Sequence, residues 1–122
     1  NPPIAAAGLR DLLLLFCGRR LLLRIEGRSM QPTLEPGDRV LVRRLRRKPA
    51  PSLGSVVVTW HPQRSELRLI KRLSRVDSTG LWLLGDNPTE STDSRQLGAV
   101  PTNLLIGEVV GRLPLGDSEQ SR

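Results

Sequence analysis

The chain has 122 residues, of which 38% are hydrophobic and 25% charged, and its formal net charge is +7. This length provides one core at most and leaves no room for a catalytic domain beside a separate binding domain. A single cysteine excludes an internal disulfide. With one histidine it also leaves few ligands for zinc, so no metal is expected. No organic cofactor is expected either.

The first 25 residues differ from the rest of the chain. Apolar runs at Ile4–Ala7, Leu12–Cys17 and Leu21–Leu23 alternate with charged residues. No uninterrupted apolar stretch approaches the roughly 20 residues of a membrane-spanning helix. The charges lie within and after the apolar part, unlike those of a cleavable signal peptide. We therefore expect residues 1–25 to form an amphipathic helix, either in a membrane interface or over an apolar face of the domain.

A loop that presents a serine comes next. Gly27 and Pro32 bracket Ser29, and the adjacent Met30 offers an apolar anchor. A lone loop serine is usually a turn or capping residue, because its hydroxyl is a weak nucleophile unless a base lies within hydrogen-bonding reach. Ser29 is therefore a candidate nucleophile only if a later segment supplies that base.

Short apolar runs separated by turn residues occupy the chain from residue 26 onward. This spacing, with little helical periodicity, predicts an all-β domain at 26–115, built as a partly open antiparallel barrel or sandwich. The polar residues 116–122 are expected to form a disordered tail. The expected strands are Val40–Val42, Ser55–Trp60, Leu67–Leu73, Leu81–Leu84 and Leu104–Leu113.

Positive charge is concentrated after the first of these strands. Such a run is typical of a solvated strand end, or otherwise of a surface that meets an anionic membrane or nucleic acid. Two Trp, one Phe and no Tyr leave few side chains to stack on bases, so no nucleic-acid partner is expected. The residues of the run are Arg43, Arg44, Arg46, Arg47 and Lys48.

The strand at Leu67–Leu73 supplies a candidate base. Side chains alternate along a strand, so Lys71 shares one face with leucines, while Arg68 and Arg72 point to the other face and are expected to reach water. Burial among leucines would lower the pKa of Lys71 toward neutrality, and a neutral amine can accept the proton of Ser29. The competing interpretation is a lysine that snorkels at the sheet edge.

A long polar loop follows the strand at Leu81–Leu84. Gly85–Asn87 is suited to a tight turn, and Asp93 and Arg95 are expected to pair and brace the loop. Such a loop is usually structural. Its hydroxyls and charges beside a core lysine, Ser91 among them, favour a catalytic role.

These segments, in this order, resemble the type I signal peptidase family of Ser/Lys serine proteases, from residue 26 to about residue 113. The resemblance rests on four groups of residues and on Gly107 in the last strand. The groups are Ser29-Met30 with Pro32-Thr33-Leu34, Pro36-Gly37-Asp38 with a Val/Leu strand, Ile70-Lys71-Arg72, and Gly85-Asp86-Asn87 with Ser91, Asp93, Ser94, Arg95 and Gly98.

The resemblance implies a role for each matching residue. Ser29 would attack the scissile carbonyl and its backbone N–H would donate to the oxyanion, while Lys71 would act as base and then as acid. Ser91 would hold the lysine amine, and Asp93 and Arg95 would form a bracing ion pair. Met30 and Pro32 are expected to contact the substrate.

Gly27 is a departure from the family pattern. It stands where some members carry a hydroxyl as a second oxyanion donor, so in this chain that donor would have to be a backbone group. His61 is a second candidate for the base, because some relatives use a histidine in that role. Since Lys71 already fills that role, His61 is expected to be structural or substrate-facing.

The resemblance also implies a substrate and a location. A protein precursor would lose an N-terminal signal or pro-segment, with small side chains before the cleaved bond. The small size of the chain, with Trp60-His61-Pro62 and Asp86-Asn87-Pro88, is most similar to the subgroup of peptidases that mature nickel-containing superoxide dismutase. That precursor is a candidate partner. Association with an anionic membrane surface is expected, and a cytoplasmic location is the alternative.

Two other functions remain open at this point. A self-cleaving repressor-like protease shares the Ser/Lys dyad, but only 28 residues precede Ser29, which is too few for a helix-turn-helix module and a cleavage segment. A non-enzymatic basic β-barrel that binds RNA or an anionic surface would explain the charge. It would not explain Lys71 on a leucine face.

Overall fold

Runs of valine and leucine between turn residues form one antiparallel sheet of six strands. The structure is a computed structural model that describes residues 2–45 and 50–113. The strands are β1 (Arg20–Arg24), β2 (Arg39–Arg44), β3 (Val56–Trp60), β4 (Arg68–Asp77), β5 (Gly80–Leu84) and β6 (Leu105–Leu113), in the sheet order β1-β2-β6-β3-β4-β5. The sheet is not closed, which confirms the predicted all-β, partly open architecture. The predicted tail at 116–122 and the residues Arg46, Arg47 and Lys48 lie outside the described residues.

The strands of the sheet contribute to two clusters of aliphatic side chains. The larger joins β1, β2, β3 and β6 to the serine loop, which contributes Met30 and Leu34. The smaller joins β3, β4 and β5 and includes Leu73 and Val100. Residue pairing shifts at irregularities in the β2–β6, β3–β6 and β4–β5 pairs. Such shifts bend strands and add twist, so strands of one sheet supply both clusters.

The N-terminal segment differs from the single helix expected at residues 1–25. Helix α1 covers only Leu9–Phe16, and Arg20–Arg24 forms β1, which pairs with β2. Gly18 has φ +76°, a conformation that glycine adopts without steric cost, and the chain turns there from helix to strand. The sheet therefore begins before residue 26, the predicted start of the domain.

Helix α1 buries none of its residues, and Leu9, Leu13 and Phe16 are exposed along it. Within the described residues, no helix has the length and apolar content needed to cross a membrane.

Among the stretches of strand that lack a neighbour on one side, two lie beside the candidate site. In the described part of the chain, β1 pairs only with β2. In β4, Arg68–Lys71 pairs with β3 on one side, but pairing with β5 begins only at Arg72. Both unpaired edges border the groove described below.

Candidate active site

The segment between β1 and β2 is a closed loop that presents Ser29. The N–H of Ile25 donates to the Asp38 carbonyl at 2.8 Å, and the N–H of Gly37 donates to the Ile25 carbonyl at 2.7 Å, so the two ends of the loop meet. Inside the loop, the Met30 side chain is 1% exposed and anchors the segment in the larger core. The neighbouring Ser29 is therefore held in place while remaining partly accessible.

The structure brings Ser29 and Lys71 together. The Nζ atom of Lys71 lies 2.7 Å from Oγ of Ser29, although the residues are 42 positions apart. Lys71 is 6% exposed. Burial lowers the pKa of its ammonium group, the nearby Asp93 carboxylate opposes this shift, and Arg95 adds to it. A hydroxyl thus contacts an amine whose neutral form is favoured relative to that of an exposed lysine.

The loop after β5 contains Asp93, whose negative charge acts on Lys71. Asp93 begins the short helix α2 (Ser94–Leu97) and caps it together with Gln96. Its carboxylate accepts hydrogen bonds from the N–H of Gly85 at 2.8 Å and from Oγ of Ser91 at 2.7 Å. Nη2 of Arg95 lies 2.6 Å from Asp93 Oδ2. Burial alone would raise the pKa of Asp93, but the hydrogen bonds from Arg95, Gly85 and Ser91 outweigh it and hold this pKa well below the usual range.

Ser91 was expected to hold the lysine amine. Among the described residues, the hydroxyl of Ser91 donates its hydrogen bond to the Asp93 carboxylate. This bond fixes the position of the Ser91 oxygen and leaves its lone pairs available as acceptors.

Gly85 lies where three parts of the site converge. A Cβ at this position would stand 2.2 Å from Ser91 Oγ and 2.8 Å from the Ser29 carbonyl oxygen, well inside contact distance. Only glycine permits the serine loop and the Asp93 loop to approach β5 this closely.

We expect Gly85→Ala to reduce peptidase activity on the order of 100-fold, because a displacement of about 1 Å at reacting groups has that effect. Overpacking should also lower the free energy of unfolding by about 1–3 kcal/mol. Gly8→Ala is the matched control, because a Cβ there meets no atom within 4 Å. Steady-state kinetics and urea unfolding measure both effects. Equal kinetics in the two variants would contradict the close approach.

A buried ion pair that the sequence reasoning missed connects the same segments. Arg72 was predicted to reach water, and this was wrong: it is 7% exposed. Its Nη2 lies 2.6 Å from Asp86 Oδ2, and its Nη1 donates to the Gly54 carbonyl at 2.9 Å. The Oγ1 of Thr33, in the serine loop, donates to Asp86 at 2.6 Å. The cluster of Arg72, Asp86 and Thr33 therefore ties the strand of Lys71, the loop after β5 and the loop of Ser29 together.

Asn87 makes a second connection to the serine loop. Its backbone N–H donates to the Ser29 carbonyl at 2.8 Å, and its side-chain amide donates to the Arg28 carbonyl at 3.1 Å. The sequence placed Asn87 in one of the groups that carry the resemblance but did not indicate these contacts, because its partners lie almost 60 positions earlier.

A groove of about 480 Å³ leads to Ser29 and Lys71. Its walls are formed by residues 23–27 on the β1 side and residues 66–71 on the β4 side, and Gly27 and Met30 are among the lining residues. A Cβ on Gly27 would meet no atom within 4 Å. Pro32 is exposed and is not part of the lining that the described residues form.

His61 takes part in a local turn. Its Nδ1 accepts hydrogen bonds from the backbone N–H groups of Gln63 and Arg64, at 3.0 and 3.2 Å. Within residues 2–45 and 50–113, no three His, Cys, Asp or Glu side chains gather as a metal site would require.

Comparison with known proteins identifies the family of the chain. The Peptidase S24-like family matches residues 15–109, which is most of the chain. The chain belongs to this family. A mitochondrial inner membrane protease subunit 1 from Schizosaccharomyces pombe is 35% identical, with 71% of this chain and 69% of the relative covered. The protein of the same name from Homo sapiens is 29% identical, with 75% and 68% covered.

Membership confirms the resemblance to type I signal peptidases. The chain is a serine-type peptidase of the signal-peptidase kind. The matched region begins within α1 and ends in β6, so it includes the serine loop, β4 and the Asp93 loop.

Proposed function

We propose that this peptidase is an endopeptidase with Ser29 as nucleophile and Lys71 as general base. The observation that carries the proposal is the 2.7 Å contact between Ser29 Oγ and the buried Nζ of Lys71. A serine needs an adjacent base to become nucleophilic, and a lysine can serve only when it is neutral. Burial lowers the pKa of Lys71 and so favours its neutral form relative to that of an exposed lysine.

The proposed reaction has two halves. Neutral Lys71 takes the proton of Ser29 Oγ as the oxygen attacks the scissile carbonyl. The ammonium then returns this proton to the leaving amine, which leaves an acyl-enzyme. In the second half Lys71 takes a proton from water, the hydroxide attacks the ester, and the proton returns to Ser29. The Ser29 backbone N–H is the proposed oxyanion donor, a contribution on the order of 3 kcal/mol to transition-state stabilisation.

Ser91, Asp93 and Arg95 are proposed as positioning residues. Asp93 holds Ser91 and Arg95 by hydrogen bonds, and Arg95 neutralises the carboxylate behind the lysine. Because the charges of Asp93 and Arg95 act on the Lys71 pKa in opposite directions, the pair leaves desolvation as the main influence on it.

The proposed substrate is an extended segment near the N-terminus of a protein precursor. The groove lies between two strand edges without partners, and an extended peptide can pair with such edges. Beside Ser29 the groove is lined by Gly27 and the buried Met30, in keeping with small side chains before the cleaved bond. The nickel superoxide dismutase precursor is the candidate suggested by the sequence, and the names of the relatives suggest precursors processed at a membrane.

We further propose that the chain works at a membrane surface. Leu9, Leu13 and Phe16 form an exposed apolar stripe on α1, and Arg10 and Arg19 lie close to it in sequence. Apolar and basic residues in this arrangement suit an anionic interface. The relatives are named inner membrane proteases, which points to the same kind of location.

The test is cleavage of precursors by the wild-type chain, Ser29→Ala and Lys71→Ala. The nickel superoxide dismutase precursor is compared with a conventional exported precursor, and products are read by mass spectrometry. We expect the wild type to cleave one of them at one bond and each variant to lose at least about 1,000-fold in rate. Equal cleavage by all three proteins would refute the dyad. Cleavage of the chain itself instead of either precursor would favour a self-cleaving protease.

A further inference from the structure

The backbone N–H of Ser29, the oxyanion donor proposed above, belongs to the peptide unit between Arg28 and Ser29. Among the residues that the structure describes, this N–H donates to no protein acceptor. It is therefore free to meet the oxygen of a substrate carbonyl. Its contribution to catalysis depends on the direction of the peptide plane, because the donor must point to the position that the oxyanion will occupy.

The carbonyl of the same peptide unit is held by two donors. The Arg28 oxygen accepts from the backbone N–H of Gln31 at 3.2 Å and from Nδ2 of Asn87 at 3.1 Å. In a trans peptide, the carbonyl and the N–H point in opposite directions within one plane. Donors fixed on the Arg28 carbonyl therefore set the direction of the Ser29 N–H. They also polarise the peptide unit, which strengthens the N–H as a donor.

The side-chain amide of Asn87 has a defined orientation. Its Oδ1 accepts from the Thr89 hydroxyl at 3.2 Å, and its Nδ2 also donates to Oε1 of Gln31 at 3.2 Å. Since a backbone carbonyl can only accept, the group that faces Arg28 is the amide nitrogen. The backbone N–H of Asn87 donates to the Ser29 carbonyl at 2.8 Å. Asn87 thus contacts the peptide units on both sides of the Ser29 Cα.

We propose that Asn87 is a positioning residue that orients the oxyanion donor. The inference rests on the proposed function and adds a residue that acts through the Arg28–Ser29 peptide unit. A hydrogen bond from the Ser29 N–H is stronger to the oxyanion of the transition state than to the carbonyl oxygen of the substrate. A misdirected donor should therefore slow the chemical step and leave substrate binding almost unchanged.

The first test separates kcat from KM. Asn87→Leu keeps the shape of the side chain and the backbone N–H but removes the amide donor. We expect kcat on a cleaved precursor to fall about 5- to 30-fold, with KM within about twofold of the wild type. Loss of an entire oxyanion donor costs about 100- to 1,000-fold, but here the Gln31 N–H still holds the Arg28 carbonyl. A raised KM at unchanged kcat would contradict the positioning role.

The matched control is Asn103→Leu, which makes the same exchange at an exposed asparagine before β6. It should leave both kinetic constants unchanged. An equal loss of kcat in the two variants would show that the exchange itself, and not the contact with Arg28, slows the reaction.

A peptide aldehyde tests the oxyanion contact without turnover. When an acetylated tri-alanine aldehyde binds, Ser29 Oγ adds to the carbonyl carbon, and its proton passes through Lys71 to the former carbonyl oxygen. That oxygen then accepts from the Ser29 N–H. The matching alcohol cannot form this adduct, so the ratio of the two dissociation constants reports the adduct alone. Partial unfolding of a variant weakens both ligands equally and leaves the ratio unchanged.

We expect the wild type to bind the aldehyde more tightly than the alcohol, and Ser29→Ala to bind the two equally. In Asn87→Leu the preference should fall about 5- to 30-fold, as kcat does, and in Asn103→Leu it should stay. A wild type without the preference would overturn the dyad and the positioning role together. A wild-type preference that Asn87→Leu keeps in full would overturn the positioning role alone.

Discussion

Lys71→Arg is expected to lower precursor cleavage on the order of 1,000-fold. Arginine keeps the positive charge but stays protonated at any working pH, so it cannot take the proton of Ser29. General base catalysis contributes about 100- to 10,000-fold in enzymes. Single-turnover kinetics measure the loss, and circular dichroism serves as the control for folding. An arginine variant with most of the activity would show that Lys71 supplies charge rather than basicity.

The wild-type pH profile follows from the same residue. Because the Lys71 pKa lies below the ordinary 10.5, kcat/KM should rise with pH through an apparent pKa below that value. Removing the Asp93 charge should move this limb to lower pH, since Asp93 raises the pKa of Lys71.

The lowered pKa of Lys71 also predicts how the free energy of unfolding depends on pH. Between its lowered folded pKa and 10.5, the unfolded chain binds the proton more readily, so stability increases with pH across that window. Lys71→Met removes the buried amine and should raise the thermal midpoint at neutral pH while abolishing cleavage. A lower midpoint would contradict the desolvation on which the base assignment depends.

Asp86→Leu is expected to destabilise the chain by about 3–5 kcal/mol, which for a domain of this size is a large part of the total stability. The change leaves Arg72 charged, buried and without the carboxylate that now lies 2.6 Å away. It also removes the acceptor of the Thr33 hydroxyl, so the serine loop loses a connection to the loop after β5. Urea unfolding followed by Trp fluorescence measures the loss.

Two further variants test the cause. Arg72→Met combined with Asp86→Leu should recover most of the stability, because apolar pairs often replace buried ion pairs at little cost. It should not recover full activity, since the Thr33 connection stays broken. Arg75→Gln is the matched control on the same strand, because the Arg75–Asp77 pair is exposed. A similar loss in the control and in Asp86→Leu would show that burial is not the cause.

The strands and the spacing of the motifs could be predicted from the sequence because both depend on local signals. Alternating side chains on β4 separated Lys71 from Arg72, and apolar runs between turn residues located β2, β3 and β5. The pairing of β1 was missed because Leu21–Leu23 is equally compatible with a helix face, and the outcome depends on contacts with β2. Tertiary pairing often overrides local preference in this way.

The surroundings of Arg72 could not be predicted from its own strand. The alternation of side chains along β4 places Arg72 on the face opposite Lys71. In a flat sheet with one buried face, the opposite face is exposed to solvent. In this protein the loop after β5 covers the face that carries Arg72, and Asp86 of this loop pairs with the arginine. Its partner lies 14 residues later and Thr33 lies 39 residues earlier, so only the folded chain reveals the cluster.

The two strand edges beside the groove also bear on how the molecules behave toward one another. An open edge that can accept a substrate strand can equally accept a strand from a second copy, and such pairing is the usual start of aggregation. A closed barrel would remove this hazard together with the groove. In this chain the edges carry Arg24, Glu26, Glu66 and Arg68, and charged side chains at an edge oppose self-pairing. The same four residues that border the groove thus oppose pairing between copies at the edges of the open sheet.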